Sequence, residues 1–259
     1  MELSLTDKVV FLAGSSRGIG FAAAKSFLRE GARVVITGRN RQRLNYASKL
    51  LSSEFGNQQV YSICGDLADI CFVTRALDEV EQKFGQIYSV IANIGNGSVP
   101  KGVQISDSAW LTALNENLLS ATRLASEALD RLVSRGEGNM TFVASIAGIE
   151  EIGAPTPYAT AKAGLLMAMK SYARQVGQAG VRVNAIAPGN VLFPGGTWAN
   201  KYENNPEEIE SYIRQEVALR RFGDPEEIAN VLVFLTSEQA SFVSGSVWVI
   251  DGGQTRSVS

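Results

Sequence analysis

Residues 11–20 read FLAGSSRGIG, a segment that satisfies two incompatible motifs. Gly14 to Gly18 spell G-x-S-x-G, the strand-to-helix elbow that presents a nucleophilic serine. Gly14, Gly18 and Gly20 equally make a glycine-rich turn of the kind that cradles phosphate at a helix N-terminus. Both devices stand where a strand hands over to a helix, so composition must separate them. A serine nucleophile needs a base to take its proton, and in the elbow that base is histidine. The chain has 259 residues and no histidine. The segment is therefore read as a phosphate turn. Gly14 leaves the strand tightly, Gly18 lets the backbone approach a pyrophosphate, and Gly20 permits close helix packing. The N–H groups around Gly18-Ile19-Gly20 then face the phosphates with the favourable end of the helix dipole.

The missing histidine also removes the commonest zinc ligand, and no metal site is expected. Acid–base chemistry must come from Tyr, Lys, Asp, Glu, Ser, Cys or a bound cofactor. The composition is that of an ordinary soluble globule, 45% hydrophobic and 19% charged with net charge −2. That balance gives no reason to expect nucleic acid or an anionic membrane surface as a partner. Cys64 and Cys71 are too few for a disulfide framework, and they read as small buried hydrophobes in a reducing compartment. No apolar run approaches the roughly 20 residues of a membrane span. The start, MELSLTDK, has no basic leader and apolar core, so a cytoplasmic location is expected.

Short apolar runs rich in β-branched residues alternate with longer amphipathic stretches. Strands are expected at 8–13, 33–38, 59–64, 87–92, 139–144, 181–186 and 246–250, with helices near 18–30, 41–55, 70–84, 107–135, 157–179 and 225–236. The strands lack in/out alternation, as in a sheet covered on both faces. Strict β-α-β-α order implies an α/β fold, a doubly wound, seven-stranded parallel sheet of Rossmann type. One domain spanning 1–259 is expected, with an insertion at about 190–222. Insertions beyond the C-terminal end of a strand sit where such sheets bind ligands.

Tyr158 and Lys162 stand four residues apart in TPYATAKAGLLMAMKSYA. Thr156 as N-cap and Pro157 at the first helical position would put both side chains on one helix face. An ammonium beside a phenol favours phenolate, so the phenol is expected below its ordinary value and usable in proton transfer without histidine. Ser145, in VASIAG at a strand end, adds a third polar group.

Together these residues resemble the short-chain dehydrogenases/reductases along essentially the whole chain. AGSSRGIG (13–20) is similar to the family's T-G-x-x-x-G-x-G, with Ala13 in place of Thr. Tyr158-Ala-Thr-Ala-Lys162 is its Y-x-x-x-K, and Ser145 stands the usual thirteen residues before the tyrosine. Asn117, in NENLLSA, matches the asparagine of the family's catalytic tetrad. Asp66-Leu67 resembles the pair at the adenine, and NAIAPG through Gly189 resembles the loop beside the nicotinamide. The chain departs from N-N-A-G at Ala92-Asn93-Ile94-Gly95, and it carries Phe193 where a threonine often stands near the carboxamide.

The resemblance implies hydride transfer between a nicotinamide cofactor and a ketone or secondary alcohol. Ser145, Tyr158, Lys162 and Asn117 are then the catalytic set. Gly14, Ser16, Arg17, Gly18, Ile19, Gly20, Arg39, Asp66, Leu67, Asn93, Gly95, Pro188, Gly189 and Val191, with Tyr158 and Lys162, are the cofactor-binding set. Selection of NAD(H) would place Asp or Glu at the end of the second strand. Gly38 and Arg39 stand there instead. The expected cofactor is NADP(H), its 2′-phosphate met by Arg39 and approached by Arg17. Arg41 and Arg43 read as a solvated helix face. A second class of function, a catalytically idle dinucleotide sensor or scaffold, uses the same fold. The partner is a small carbonyl or alcohol, and Ala179 replaces a basic residue often seen in carrier-protein reductases. Phe193, Trp198 and Tyr202 either wall the pocket or plug the fold. Small residues on 157–179 suit close pairing of helices in a homo-oligomer, a tetramer by resemblance, and the closing strand with the tail VIDGGQTRSVS offers a second interface.

Overall fold

A computed structural model describes residues 2–257; Met1, Val258 and Ser259 lie outside it, so the last two positions of the tail proposed as an interface are outside the described residues. Seven strands form one sheet: β1 (Val9–Ala13), β2 (Arg33–Gly38), β3 (Val60–Cys64), β4 (Ile87–Ala92), β5 (Gly138–Val143), β6 (Val181–Pro188) and β7 (Val247–Ile250). Their order is β3-β2-β1-β4-β5-β6-β7, and every pairing is parallel. The chain winds outward from β1 to β3, returns, and winds the other way from β4. The reversal opens a crevice at the carboxyl ends of β1 and β4, the place where such sheets bind ligands.

Nine α-helices accompany the strands among the described residues: α1 (Gly18–Arg29), α2 (Arg41–Phe55), α3 (Ile70–Phe84), α4 (Asp107–Leu114), α5 (Ser120–Arg135), α6 (Thr156–Val176), α7 (Thr197–Asn204), α8 (Pro206–Glu216) and α9 (Pro225–Thr236). β1 shows why its sequence is uniformly apolar. Val9, Phe11 and Ala13 join a core with Val90, Phe142, Leu124 and Leu165 on one face. Val10 and Leu12 join Phe27, Ile36, Ile91 and Leu232 on the other. Each large side chain so buried contributes about 1.5–3 kcal/mol, and neither face tolerates a polar alternate. A buried polar seam fixes the register on which the crevice depends: Ser89 Oγ donates to Asn139 Oδ1 at 2.8 Å, and Asn139 Nδ2 to the Thr236 carbonyl of α9 at 3.1 Å.

Several expected elements differ in detail. The helix expected over 107–135 is α4 and α5 joined by a π-helical turn at Asn115–Leu119, whose carbonyl at Asn115 accepts from both the N–H and the hydroxyl of Ser120. Thr156 is not the N-cap of α6: the helix already includes it, Pro155 precedes it in extended conformation, and no side chain caps the end. The helix expected over 157–179 stops at Val176 and tightens into a 3₁₀ turn at Gly177–Ala179. Cys71 is exposed and Cys64 only partly buried, because one opens α3 on its outer side and the other ends β3 at the sheet edge. The insertion holds α7 and α8 with a small core of its own. Ile209, Ile213 and Val217 pack there against Trp198, Tyr202, Tyr212 and Phe222, and Trp198 stacks on Tyr212 with centroids 5.4 Å apart. Tyr202 is thus a packing residue of the insertion, whereas Trp198, packed there, and Phe193, packed on the main core beside α1, also line the cleft.

Candidate active site

The glycine turn leaves β1 with Gly14 at φ +61°. A Cβ there would lie 2.1 Å from the Asn93 carbonyl oxygen, so β1 and β4 approach as closely as backbone allows. Asn93 holds them together, its amide donating to the Gly14 carbonyl at 2.8 Å. Gly20 tucks beneath, where a Cβ would meet the Gly14 oxygen at 2.5 Å. Gly18, at φ +55°, lies under the Phe193 ring, 2.6 Å from an ideal Cβ. Ser15 faces inward, donating to the Leu12 carbonyl and accepting from Thr37 N. Gly14, Ser16, Arg17 and Ile19 line a cleft of about 1470 Å³, whereas Gly20 is buried and Gly18 half-buried under the Phe193 ring. No side chain caps α1 and no acid stands in its first turn, so its leading N–H groups and its positive end are left for an anion.

The basic corner of the cleft differs from expectation. Arg39 lines it, its Nη1 3.5 Å from Glu116 Oε1. Arg17 turns toward the insertion and donates to the Gly195 carbonyl. Its pKa is lowered by burial first and by the Arg43 charge second. Arg43 lines the cleft too; its N–H bonds the Asn40 side chain that caps α2, at 2.9 Å, and this first turn aims it inward. Asp66 and Leu67 line the adjoining wall, Leu67 otherwise buried in the core.

The second group gathers at the ends of β4 and β5. Lys162 is buried, and its Nζ donates to the carbonyls of Val143 at 3.0 Å and Ile94 at 3.2 Å. Ile94 therefore serves the site through its backbone, while its side chain packs on the core. Asn117, buried on the π turn, accepts from Asn96 N at 2.8 Å and donates to Asn96 O at 3.2 Å. A Cβ on Gly95 would lie 2.9 Å from Asn117 Oδ1 and 3.0 Å from Lys162 Nζ; the gap between them is just wide enough for glycine. Glu116, next on the π turn, accepts from the Asn96 amide at 3.0 Å and links this loop to Arg39. Ser145, past the end of β5, accepts from Ala147 N, and its side chain stands beside the Tyr158 phenol. Tyr158 lines the cleft, with Lys162 Nζ 5.8 Å from its ring centroid. Pro188, Gly189 and Val191 continue along the wall from β6. Gly189 passes Asp251 so closely that a Cβ would lie 2.8 Å from its Cα.

Burial, not the lysine charge, governs the proton balance here. It pushes the Tyr158 phenol up, against a smaller opposing effect from Ser145, so the lysine charge by itself does not produce the expected lowering of the phenol. The same desolvation brings the Lys162 ammonium down to about 8. Between that value and the ordinary 10.5 the unfolded chain holds a proton that the folded chain has released, so stability rises with pH across the window. Lys162→Met has no such proton. The stability of wild type relative to Lys162→Met, from urea unfolding across the window, is expected to climb by up to about 1.4 kcal/mol per pH unit. A difference independent of pH would place the lysine in a better solvated site.

Comparison with known proteins fits this arrangement. A family model described as enoyl-(acyl carrier protein) reductase matches residues 13–255. An acetoacetyl-CoA reductase of Synechocystis sp. is 32% identical over 97% of this chain and 98% of its own. A 3-oxoacyl-(acyl-carrier-protein) reductase of Thermotoga maritima is 30% identical over 97% of this chain and 99% of its own. The chain belongs to the short-chain dehydrogenase/reductase family. Among solved members, the L-sorbose reductase of Gluconobacter frateurii, complexed with NADPH and L-sorbose, superposes with a TM-score of 0.91 at 31% identity, each chain fully covered. Within this short-chain dehydrogenase/reductase, the sequence reading missed Arg43, Asn96, Glu116 and the carbonyls of Ile94 and Val143. Only Arg43 had a usable signal, the Asn40 cap that starts its helix beside the turn.

Proposed function

We propose that the chain is an NADP(H)-dependent oxidoreductase that interconverts a ketone and a secondary alcohol. One observation carries this reading: Ser145, Tyr158 and the buried Lys162 line the same cleft as the uncapped start of α1. The glycine turn suits a dinucleotide pyrophosphate, since any Cβ at Gly14 would collide with Asn93. Arg39 and Arg43 suit a 2′-phosphate, with Glu116 releasing or sharing Arg39 when that phosphate binds. When bound, the nicotinamide supplies or accepts the hydride.

The chain's own residues then do the rest. Ser145 donates to the substrate oxygen and polarises the carbonyl. Tyr158 gives its phenolic proton to that oxygen in reduction and recovers it in oxidation. A phenol pushed up by burial is held in the acid form, the form that reduction needs. Lys162 holds positive charge near the phenol and reaches the nicotinamide ribose hydroxyls. Asn117 anchors the Asn96 backbone beside it and supports the water that reprotonates the lysine. Residues 1–259 act as one dinucleotide-binding domain in the cytoplasm. Steady-state oxidation of NADPH and NADH with a panel of ketones tests the reading, and an inert protein that still binds dinucleotide would instead be the idle sensor.

NADPH should bind more tightly than NADH. Arg39→Ala should weaken NADPH binding by about tenfold or more, the effect of one lost charge-assisted hydrogen bond, and leave NADH binding within about twofold. Calorimetric titration of both cofactors decides; equal affinity in the wild type would remove the preference.

The assembly we propose is a homotetramer. Met167 on α6 and Leu111 and Leu119 near the π turn are exposed, as are Val247 and Val249 on β7 and Phe242 before it. β7 is an edge strand, and an uncovered apolar edge is a pairing surface. Light scattering at micromolar concentration should give four chain masses, and a single chain mass would refute the proposal.

A further inference from the structure

The cleft continues past Tyr158 to a mouth walled by the segment 97–101 after β4 and by helix α7. The two walls touch: a Cβ on Gly97 would lie 3.4 Å from the hydroxyl of Thr197, the first residue of α7. Each wall carries a lysine that lines the cleft, Lys101 on one and Lys201 on the other. Each is anchored by something uncharged. Lys101 Nζ donates to the Gly153 carbonyl at 2.9 Å, in the loop that follows Ser145. Lys201 Nζ sits 4.1 Å from the centroid of the Trp198 ring, itself fixed by stacking on Tyr212. Among the described residues neither lysine forms an ion pair, although eleven other such pairs occur. Because the two walls meet at Gly97 and Thr197, both ammonium groups face the same mouth, and partial burial, then the Lys101 charge, lower the Lys201 pKa. Asn200 and Asn204 line the same stretch as neutral donors, and Glu208 is the carboxylate on that wall.

Like charges held together repel, and the repulsion is relieved when an anion lies between them. A neutral polyol would be satisfied by the asparagines alone. We propose that the substrate carries an anionic oxygen group, a carboxylate or a phosphate, remote from its reacting carbonyl, and that Lys101 and Lys201 bind it across the cleft mouth. The inference deepens the reading of the cleft as a carbonyl-reducing site and rests on it. The group enters past Trp198, the chain between it and the carbonyl lies along the wall of α7, and the carbonyl oxygen reaches Ser145 and Tyr158.

The test uses methyl ketones of increasing chain length, each ending in a carboxylate, a phosphate or a primary amide, with NADPH and the full-length protein. At the best chain length one of the two anions should exceed the amide in kcat/KM by about tenfold or more, mostly through KM, the scale of one charge-assisted contact. The better anion identifies the group. In Lys201→Gln the ratio of anion to amide should fall toward one, and Lys201→Arg should restore it. Binding is read separately by titrating the same compounds into the NADP⁺-loaded protein and following tryptophan fluorescence. Ketones reduced with no preference for charge, or a preference untouched in Lys201→Gln, would overturn the inference and leave the proposed reaction standing. Anions bound through Lys201 without any turnover would overturn the proposed reaction and keep the anion site.

Discussion

Tyr158→Phe is expected to lower carbonyl reduction by about 10²–10⁴, the range attributed to a positioned acid or base, while the protein stays folded and binds NADPH as before. The substitution removes one oxygen, which faces the cleft beside Ser145, so little packing is disturbed. Ser145→Ala should lower turnover without changing cofactor affinity, because the serine is proposed to face the substrate oxygen. Lys162→Met should lose both turnover and cofactor affinity, because its Nζ stands between the Ile94 and Val143 carbonyls beside Gly95, where the nicotinamide ribose is proposed to lie. The contrast among the three variants carries the test. Wild-type turnover in Tyr158→Phe would end the role assigned to the phenol. Equal loss of NADPH affinity in all three would make them structural supports of the cleft.

Gly14→Ala should destabilise the protein by about 2–5 kcal/mol and abolish measurable NADPH binding. An alanine at φ +61° costs about 1–2 kcal/mol in backbone strain alone. The collision of its Cβ with the Asn93 carbonyl at 2.1 Å adds an overpacking cost of about 1–3 kcal/mol. The contact cannot be relieved by a rotamer, since both partners are backbone. Relief requires β1 and β4 to separate at their ends, which breaks the Asn93 bond to Gly14 and moves the turn away from α1. Urea unfolding and cofactor titration read the two consequences separately. A stable Gly14→Ala protein with intact binding would mean that the two strands yield there without loss.

The sheet and its order are legible in the sequence because parallel strands buried on both faces leave continuous apolar runs that only one periodicity explains. The pairing of Tyr158 with Lys162 and the turn at Gly14 follow from spacing for the same reason: each depends on residues near in sequence. What escapes depends on three-dimensional context. Burial around Tyr158 outweighs the neighbouring charge, and desolvation cannot be read from a Y-x-x-x-K spacing. Arg43 reads as a solvated face because helix periodicity ignores that α2 begins beside the glycine turn. Arg17 reads as part of the phosphate corner, yet a carbonyl of the insertion, nearly 180 positions away in the chain, accepts its hydrogen bond. Thr156 fails as a cap because Pro155 and Pro157 both suit a helix start, and the chain uses the earlier one. The division of 107–135 leaves no trace in the pattern, since a π turn changes register without changing polarity.

That π turn has a consequence for how this chain tolerates change in length. It holds more residues per turn than the helices on either side, so a single deletion within Asn115–Leu119 could be absorbed by closing it into regular helix. Closing the π turn would return it to a regular turn, so α4 and α5 would keep their rotational phase, and only the residues of the turn itself would point elsewhere. α5, gripped by α3, β4, β5 and α6, and α4, gripped by α6, would both keep their faces, and Thr112 would stay at the rim of the cleft. Asn117 would lose its two bonds to Asn96, while every core side chain of α5 kept its place. A shortened protein of this kind would fold and melt as the parent does and differ only beside the cleft. The extra residue works as a spacer that sets the alignment of the reaction chamber independently of the scaffold around it.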